Sequence, residues 1–453
     1  MSSLAERFEE KMTYDSRRYP FDDLAMILQM LRDWAWLQRS QWLKKDQLAE
    51  IQARKLREMV SHAFQKVPFY QRLHNAAGVE PGYTTNTRSI GKLPIITRQH
   101  FADASLEERT AVDTNLSSCT PITTSSTTGT PITTLEELRE LSYRAALWLR
   151  FLWAFGVRPS HKVCMSIPGP GSLFFNSKGL WGFVMKRKLR PLSLAADMND
   201  HVKFFSKWKP DVLVAPPSYF RALITSEEEA GQSLPLKIAV TMGEMLDSST
   251  RKLIGDTLHT EVFDAYGLNE VGGVAWECPT HSGYHIEVDS LVVEFLRDGE
   301  PVTAGQSGEL CVTSLYRKAT PIIRYLVGDI ATPLDDDCPC GRGLPLMKNI
   351  EGRVVDFILT KDGCYISPYT VMYVLEGVPG VAQYKVIQKG DYSIELLVKT
   401  SEMKGEPVIQ VLQQRCRQLF GQMPVSIKLV DDIKNPKGHK FRAVESQLTN
   451  VDV

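Results

Sequence analysis

The densest chemistry in the chain is Thr123-Thr124-Ser125-Ser126-Thr127-Thr128-Gly129-Thr130-Pro131, where seven of nine residues carry hydroxyls. Gly129-Thr130-Pro131 closes the run as a turn. Hydroxyls and exposed backbone amides in a tight loop wrap phosphate oxygens, although the same composition also serves plain linkers. Four further segments follow in order: Gly243-Glu244, Tyr266-Gly267-Leu268-Asn269-Glu270, Arg324-Tyr325-Leu326-Val327-Gly328-Asp329 and Glu351-Gly352-Arg353. Near the end comes Asn435-Pro436-Lys437-Gly438-His439-Lys440-Phe441-Arg442. Taken singly, Glu270 and Asp329 read equally well as surface carboxylates, and Lys440 as a solvated lysine.

The cysteines form a second constellation. Cys278 opens Cys278-Pro279-Thr280-His281-Ser282-Gly283-Tyr284-His285, and Cys338-Pro339-Cys340-Gly341 follows later in the chain. Three thiols and one imidazole make a four-ligand set suited to tetrahedral Zn²⁺ with no open position, hence to a structural metal. His281 offers the compact Cys-x-x-His spacing and His285 the alternative. Buried free thiols are the competing reading. Cys119, Cys164, Cys311, Cys364 and Cys416 lack such spacing and read as small core residues.

These side chains need a scaffold. From Asp46 to Val67 the apolar residues Leu48, Ile51, Leu56, Met59, Val60, Ala63, Phe64 and Val67 follow one helical face. Pro68 should end that helix, and Trp34, Trp36 and Trp42 should pack the helical lead against the body. Further on, Val163–Ile167, Val212–Ala215, Ile238–Met242 and Val262–Tyr266 read as strands. They alternate with amphipathic segments at His201–Lys207 and Tyr219–Ala230. That alternation predicts an α/β fold with a largely parallel sheet, whose ligands gather at the carboxyl ends of the strands. Beyond residue 285 the pattern turns to hairpins, at Leu291–Phe295 with Glu309–Thr313 and at Ala382–Gln388 with Ser393–Lys399. A helix over Glu406–Phe420 and a strand near Val425–Val430 complete a small α+β unit.

Composition narrows the function classes. Lys+Arg and Asp+Glu are both 53, so the formal charge is zero, which argues against nucleic acid as partner because phosphate backbones demand a cationic surplus. The run Lys186-Arg187-Lys188 with Arg190 reads as solvated surface or as a contact for a nucleotide phosphate, with no aromatic stacking pattern beside it. No apolar run reaches the ~18 residues that span a bilayer, and the opening residues lack a signal-peptide core. The expectation is a soluble cytoplasmic protein of two or more domains.

The order and spacing of these segments resemble the adenylate-forming enzymes, the acyl-CoA synthetases and their relatives. More narrowly they are similar to the phenylacetate–CoA ligase branch and its capsule-cluster homologues, a likeness shared by Val67-Pro68-Phe69-Tyr70 and Lys92-Leu93-Pro94-Ile95 and covering about residues 45–445. The resemblance implies a large N-terminal ATP- and acyl-binding domain over 1–352, with mostly parallel sheets and a zinc-bearing β-rich part at about 278–350. A small mobile α+β lid over 353–453 would follow. Thr127, Thr128 and Gly129, with Ser125 and Ser126, would hold the β- and γ-phosphates of ATP. Gly243 and Glu244 would line the adenine and acyl pocket, Tyr266 would stack near the base, and Glu270 would hold Mg²⁺. Asp329 would bind the ribose hydroxyls with Arg353 close by. Ala265, Gly267, Asn269 and Arg324 belong to the same nucleotide set. Lys440 would bridge carboxylate and α-phosphate from the small domain. That domain would then rotate just after Gly352-Arg353 to admit a thiol along Lys361-Asp362-Gly363. For the zinc set, the branch's Gly-x-His position favours His285 over His281.

The implied activity is ATP-dependent conversion of a carboxylic acid, aromatic or aryl-acetic, to an acyl-adenylate. The acyl group then passes to coenzyme A, or in close variants to a carrier-protein thiol or an amine. A non-catalytic nucleotide or acyl sensor is the rival. Phe174, Tyr219, Gly243 and Tyr266 are candidates for the acid pocket, and a homodimer is the assembly to test. Three residues depart from the family pattern: Ser126 for glycine, Asn269 for Ser or Thr, and Val355, followed by Asp356, at the hinge. The hinge change bears on the second half-reaction more than on the first, and the three together would suit an acceptor other than coenzyme A.

Overall fold

The computed structural model describes residues 24–79, 89–123, 132–165, 188–192, 198–229, 234–348, 350–353, 356–361, 365–366, 368–375, 378, 380–400, 406–433 and 441–448. The helical lead consists of α1 (Leu24–Ser40), α2 (Lys45–Lys66) and α3 (Pro68–Ala76). The apolar stripe of α2 buries Leu48, Leu56, Met59, Val60 and Ala63, as its periodicity predicts. Pro68 does more than end α2: it opens α3 at the first helical position, where its missing N–H would have no intrahelical partner. Of the three tryptophans, only Trp34 packs inward as expected, edge-on to Trp153. Trp36 and Trp42 are exposed, and Trp42 instead carries the Arg342 guanidinium over its ring at 4.7 Å.

A short hairpin, β1 (Thr120–Thr123) with β2 (Thr133–Glu136), leads into α4 (Leu138–Ala154). Among the described residues the central sheet has nine strands. Its parallel half is β4 (Leu189–Pro191), β3 (Val163–Met165), β5 (Val212–Ala215), β6 (Ile238–Met242) and β7 (Glu261–Leu268) in spatial order. Helices α5 (Met198–Trp208), α6 (Pro217–Glu229) and α7 (Ser248–Leu258) intervene along the chain. Continuously buried strands such as Val212–Ala215 are what helices on a sheet face require. The strand predicted to reach Ile167 is described to Met165.

At β7 the sheet changes character. β8 (Gly272–Glu277), β9 (Tyr284–Ile286), β15 (Leu346–Met347) and β14 (Pro333–Leu334) continue it antiparallel. The predicted hairpin appears as β10 (Leu291–Arg297) on β12 (Gly308–Ser314). It lies in a five-stranded antiparallel sheet with β11 (Glu300–Pro301), β13 (Tyr325–Ala331) and β16 (Gly352–Arg353). After a short antiparallel pair, β17 (Ile358–Leu359) with β18 (Tyr365–Ile366), the C-terminal unit is a four-stranded sheet of β21 (Val425–Leu429), β20 (Ile394–Thr400), β19 (Val381–Gln388) and β22 (Val444–Ser446). It packs with α8 (Pro368–Leu375) and α9 (Glu406–Phe420) around its own apolar core. Among the described residues no helix is long and apolar enough to cross a membrane.

One buried ionic network joins the helical lead to the sheets. Arg150 on α4 forks onto Asp289 at 2.7 and 3.0 Å, pairs with Glu287 and donates to the Leu37 carbonyl at 3.2 Å. Ser40 donates to the same Asp289, whose own carbonyl accepts from Lys55 at 2.7 Å. Burial alone would raise the Asp289 carboxyl; Arg150 and Lys55 outweigh it and hold the group at about 2. Because its folded value is depressed, its contribution is complete above the ordinary carboxylate range and is lost as pH falls from about 4 toward 2. Arg150→Met strands two buried carboxylates, so it is expected to destabilise the protein by about 3–5 kcal/mol. The measurement is the urea midpoint at pH 7.

Candidate functional site

The carboxyl ends of β6 and β7 face Asp329 on β13 across a cavity of about 830 Å³. Gly243 follows β6 at φ +82°, a conformation that favours glycine, and turns the chain so that Glu244 enters the cavity wall. Eight residues singled out in the sequence line this one space: Gly243, Glu244, Ala265, Tyr266, Gly267, Asn269, Glu270 and Asp329. Residues from separate segments, spread from Gly243 to Asp329, would share a cavity by chance only rarely; here the crossover topology brings them together.

Within it, the Tyr266 hydroxyl donates to Asp329 Oδ2 at 2.6 Å, tying β7 to β13 across the two sheets. The expected place of Tyr266 near the base and of Asp329 near a ribose therefore acquires a direct contact between the two side chains. Glu270 is buried and hydrogen-bonded to the Tyr325 hydroxyl, which also meets Arg98. Glu244 spans two regions of the chain: one carboxylate oxygen accepts from the Ser218 amide at 3.1 Å and the other from the Phe441 amide at 3.2 Å. Phe441 is the residue after Lys440. Phe441, Arg442, Ala443 and Val444 line the cavity from the C-terminal side, and Arg442 pairs with Asp356 just past β16.

Some expectations fall elsewhere. Ser125, Ser126, Thr127, Thr128, Gly129, Phe174, Lys186, Arg187, Val355, Asp362, Gly363 and Lys440 lie outside the described residues. Arg353 sits opposite Asp329 in the β13–β16 register. Arg324 is corrected: it does not line the cavity. Its guanidinium is committed to Glu294 at 2.9 and 3.1 Å and to the carbonyls of Gly91 and Leu93 at 2.9 and 2.5 Å. Tyr219 is likewise absent from the lining; it is buried in the core with its hydroxyl 3.0 Å from His201 Nδ1.

Asp264 is a residue the sequence reading missed. It lines the cavity and is held by the hydroxyls of Thr241 at 2.5 Å and Tyr284 at 2.7 Å. Burial, reinforced by Glu277, pushes its carboxyl up to about 7. The available signal was a carboxylate inside an otherwise apolar strand.

The cysteine constellation closes as a second cluster. The ligand atoms of Cys278, His285, Cys338 and Cys340 all lie within 4.8 Å of one another. Cys278 and Cys338 sulfurs are 3.6 Å apart, and Cys340 Sγ is 3.3 Å from His285 Nε2. With Zn–S near 2.3 Å and Zn–N near 2.0 Å, a tetrahedron of three sulfurs and one nitrogen has edges of about 3.5–3.8 Å, close to the observed spacings, so the donor set fits the metal. His285 Nδ1 lies 3.4 Å from the Leu344 carbonyl, the second contact that orients an imidazole ligand. Burial, with help from Arg342, pulls His285 down to about 4, which keeps it neutral for ligation. His281 points away, 3.5 Å from both Glu261 and Glu277. Gly343, beside the cluster, donates to the Gln41 carbonyl at 2.9 Å, and a Cβ there would meet the Leu43 carbonyl at 1.8 Å. The cluster is thereby docked on the α1–α2 turn.

A family model described as AMP-binding enzyme matches residues 19–316. The chain belongs to the AMP-binding enzyme family. This AMP-binding enzyme is 28% identical over 373 residues to a phenylacetate-coenzyme A ligase of Thermus thermophilus, covering 80% of this chain and 83% of that one. It is also 28% identical over 385 residues to the Escherichia coli protein of the same name, covering 82% and 86%. A shorter match, 27% over 138 residues and 30% of this chain, is to an indoleacetate–lysine synthetase of Pseudomonas savastanoi, covering 32% of that protein. Among solved structures, 2-hydroxyisobutyryl-CoA ligase in a postadenylation state has the same fold, with TM-score 0.77 at 19% identity and 91% of each chain covered.

The Glu244 bridge can be tested without a substrate. Glu244→Ala removes the acceptor of the Phe441 amide, so hydrogen exchange at 441–444 should accelerate by about tenfold, the effect of losing roughly 1.4 kcal/mol of local protection. Strands β19 and β20 should keep wild-type rates.

Proposed function

We propose that this AMP-binding enzyme activates a carboxylic acid, of the aromatic or aryl-acetic class, as its acyl-adenylate and passes the acyl group to the thiol of coenzyme A. The observation that carries this reading is the shared cavity, in which Glu270, Asp329 and Tyr266 face the segment that follows Lys440. The names of the Thermus and Escherichia relatives supply the acid and acceptor class.

In this reading the carboxylate attacks the α-phosphorus of ATP, the P–O bond to the β-phosphate breaks, and pyrophosphate leaves. Such a step depends on position and charge neutralisation. Thr127, Thr128 and Gly129, with Ser125 and Ser126, hold the leaving phosphates. Asp329 takes the ribose hydroxyls with Arg353 beside it, and Lys440 holds the carboxylate against the α-phosphate. Mg²⁺, when bound at Glu270, neutralises phosphate charge. Residues 353–453 act as the lid over the domain formed by 1–352. Gly352 suits that junction: it has φ +131°, and a Cβ there would meet Pro368 at 2.6 Å. A second reading, transfer to an amine, is favoured by the similarity to the indoleacetate–lysine synthetase and by Asn269.

Acid-dependent exchange of labelled pyrophosphate into ATP tests adenylation without a choice of acceptor. Exchange with an aryl or aryl-acetic acid is expected, and Lys440→Ala should lower it by about 10²–10³-fold, as for other charge-stabilising donors. Lys440→Ala with wild-type exchange would rule the mechanism out.

We also propose that Cys278, His285, Cys338 and Cys340 hold a structural Zn²⁺. Metal analysis should find about one Zn²⁺ per chain. His285→Ala should lose it with a lowered melting temperature, and His281→Ala should retain it. Fully stable metal-free protein would sink the zinc assignment.

A further inference from the structure

The turn that carries Glu270 into the cavity is held from behind by side chains unused in the chemistry above. Its three consecutive carbonyls each accept a hydrogen bond from a side chain. Asn269 O accepts from Arg144 Nη2 at 3.0 Å, Glu270 O from Arg317, and Val271 O from the Tyr316 hydroxyl at 2.7 Å. Gly272 makes this possible: at φ +82°, a Cβ on it would lie 2.9 Å from the Tyr316 hydroxyl and 3.4 Å from Arg144. Three fixed carbonyls fix the intervening peptide planes, and with them the direction in which the Glu270 side chain leaves the backbone.

Both arginines converge on one carboxylate. Glu136, fully buried at the end of β2, receives Arg144 Nε at 3.0 and 3.1 Å and lies 3.3 Å from Arg317 Nε. Arg317 also donates to the Leu135 carbonyl at 3.0 Å. Glu140, one helical turn before Arg144, accepts from the amides of Lys318 and Ala319, which keeps the Arg317 loop in place. Strand β2 is where the chain emerges from the hydroxyl-rich run 124–131. A short, buried, charge-assisted path therefore leads from that strand through Glu136 and the two guanidiniums to the backbone of Asn269 and Glu270.

We propose that Glu136, Arg144 and Arg317 are positioning residues that lock the Glu270 carboxylate to the strand leaving the phosphate loop, so that the metal ion and the triphosphate are gripped as one unit. This rests on the reading of Glu270 as the Mg²⁺ ligand. Replacing an arginine should loosen the orientation of Glu270 while leaving that carboxylate in place, so the defect should appear as a raised metal requirement.

The experiment is the Mg²⁺ dependence of pyrophosphate exchange, paired with Mn²⁺ binding followed by electron paramagnetic resonance in the presence of a non-hydrolysable ATP analogue. Arg144→Met should raise both the Mg²⁺ concentration for half-maximal exchange and the Mn²⁺ dissociation constant by about tenfold or more, the usual size of outer-contact effects on metal affinity. KM for the acid should stay within about twofold, since uniform loss of folded enzyme moves neither constant. Arg144→Lys, which keeps the charge but cannot reach Glu136 and Asn269 together, should fall between. It also serves as the test if the methionine variant does not fold.

Glu270→Gln is the control. If it weakens the metal and the arginine variants match wild type, the positioning role is wrong and the ligase reading stands. If Glu270→Gln leaves metal dependence unchanged, the proposal falls together with the assignment of Glu270.

Discussion

A buried carbonyl must find a donor, and this requirement governs the place where the central sheet changes from parallel to antiparallel. Strand β7 ends, β8 returns beside it, and the three residues between cannot satisfy themselves with ladder hydrogen bonds. Arg144, Arg317 and Tyr316 supply the missing donors from α4 and from the loop after β12. The solution to a backbone problem thereby brings together the first hairpin, α4, the five-stranded sheet and the cavity. Guanidinium suits the task because its rigid fork can serve a carboxylate and a carbonyl at once, and because Glu136 and Glu140 neutralise the charge buried with it.

The antiparallel half of the sheet also explains why two chemical centres lie on one scaffold. Successive residues of a strand point to opposite faces. On β9, Tyr284 reaches the cavity-lining Asp264, while its neighbour His285 joins the cysteines. Strand β8 ends directly at Cys278, and its Trp276 packs against His285 at 5.1 Å and donates to Glu287 in the Arg150 network. The cysteine–histidine cluster, the ionic network and the cavity wall are thus adjacent layers of one structure. A Zn²⁺ ion among those four ligands would hold β8, β9 and the Cys338–Gly343 loop in register and clamp them to the α1–α2 turn.

Glu244 performs the corresponding role between the large body and the C-terminal unit. A carboxylate that accepts one backbone amide from each side is a small connection of two charge-assisted hydrogen bonds. Met245 adds a small apolar contact with the C-terminal core. A connection of this size suits the proposed lid, which would leave the body between the two half-reactions.

Much of this was legible from residue order. The α2 stripe, the runs at Val212–Ala215 and Ile238–Met242, the hairpin β19–β20 and the helix Glu406–Phe420 appear where local periodicity and turn residues put them, because those signals depend on near neighbours. The segments around Gly243, Tyr266–Glu270 and Asp329 could be recognised by their order, since each is a short stretch of side chains with a chemistry of its own. What only the tertiary structure decided involves residues far apart in the chain. It selected His285 over His281 by turning His281 toward Glu261 and Glu277, and it drew Arg324 into a buried pair with Glu294. It also revealed Asp264 in the cavity wall and assembled Glu136, Arg144 and Arg317 behind Glu270. A charged side chain carries no local mark of its destination, because whether it meets solvent, substrate or a buried counter-charge is settled by which strands the fold sets side by side.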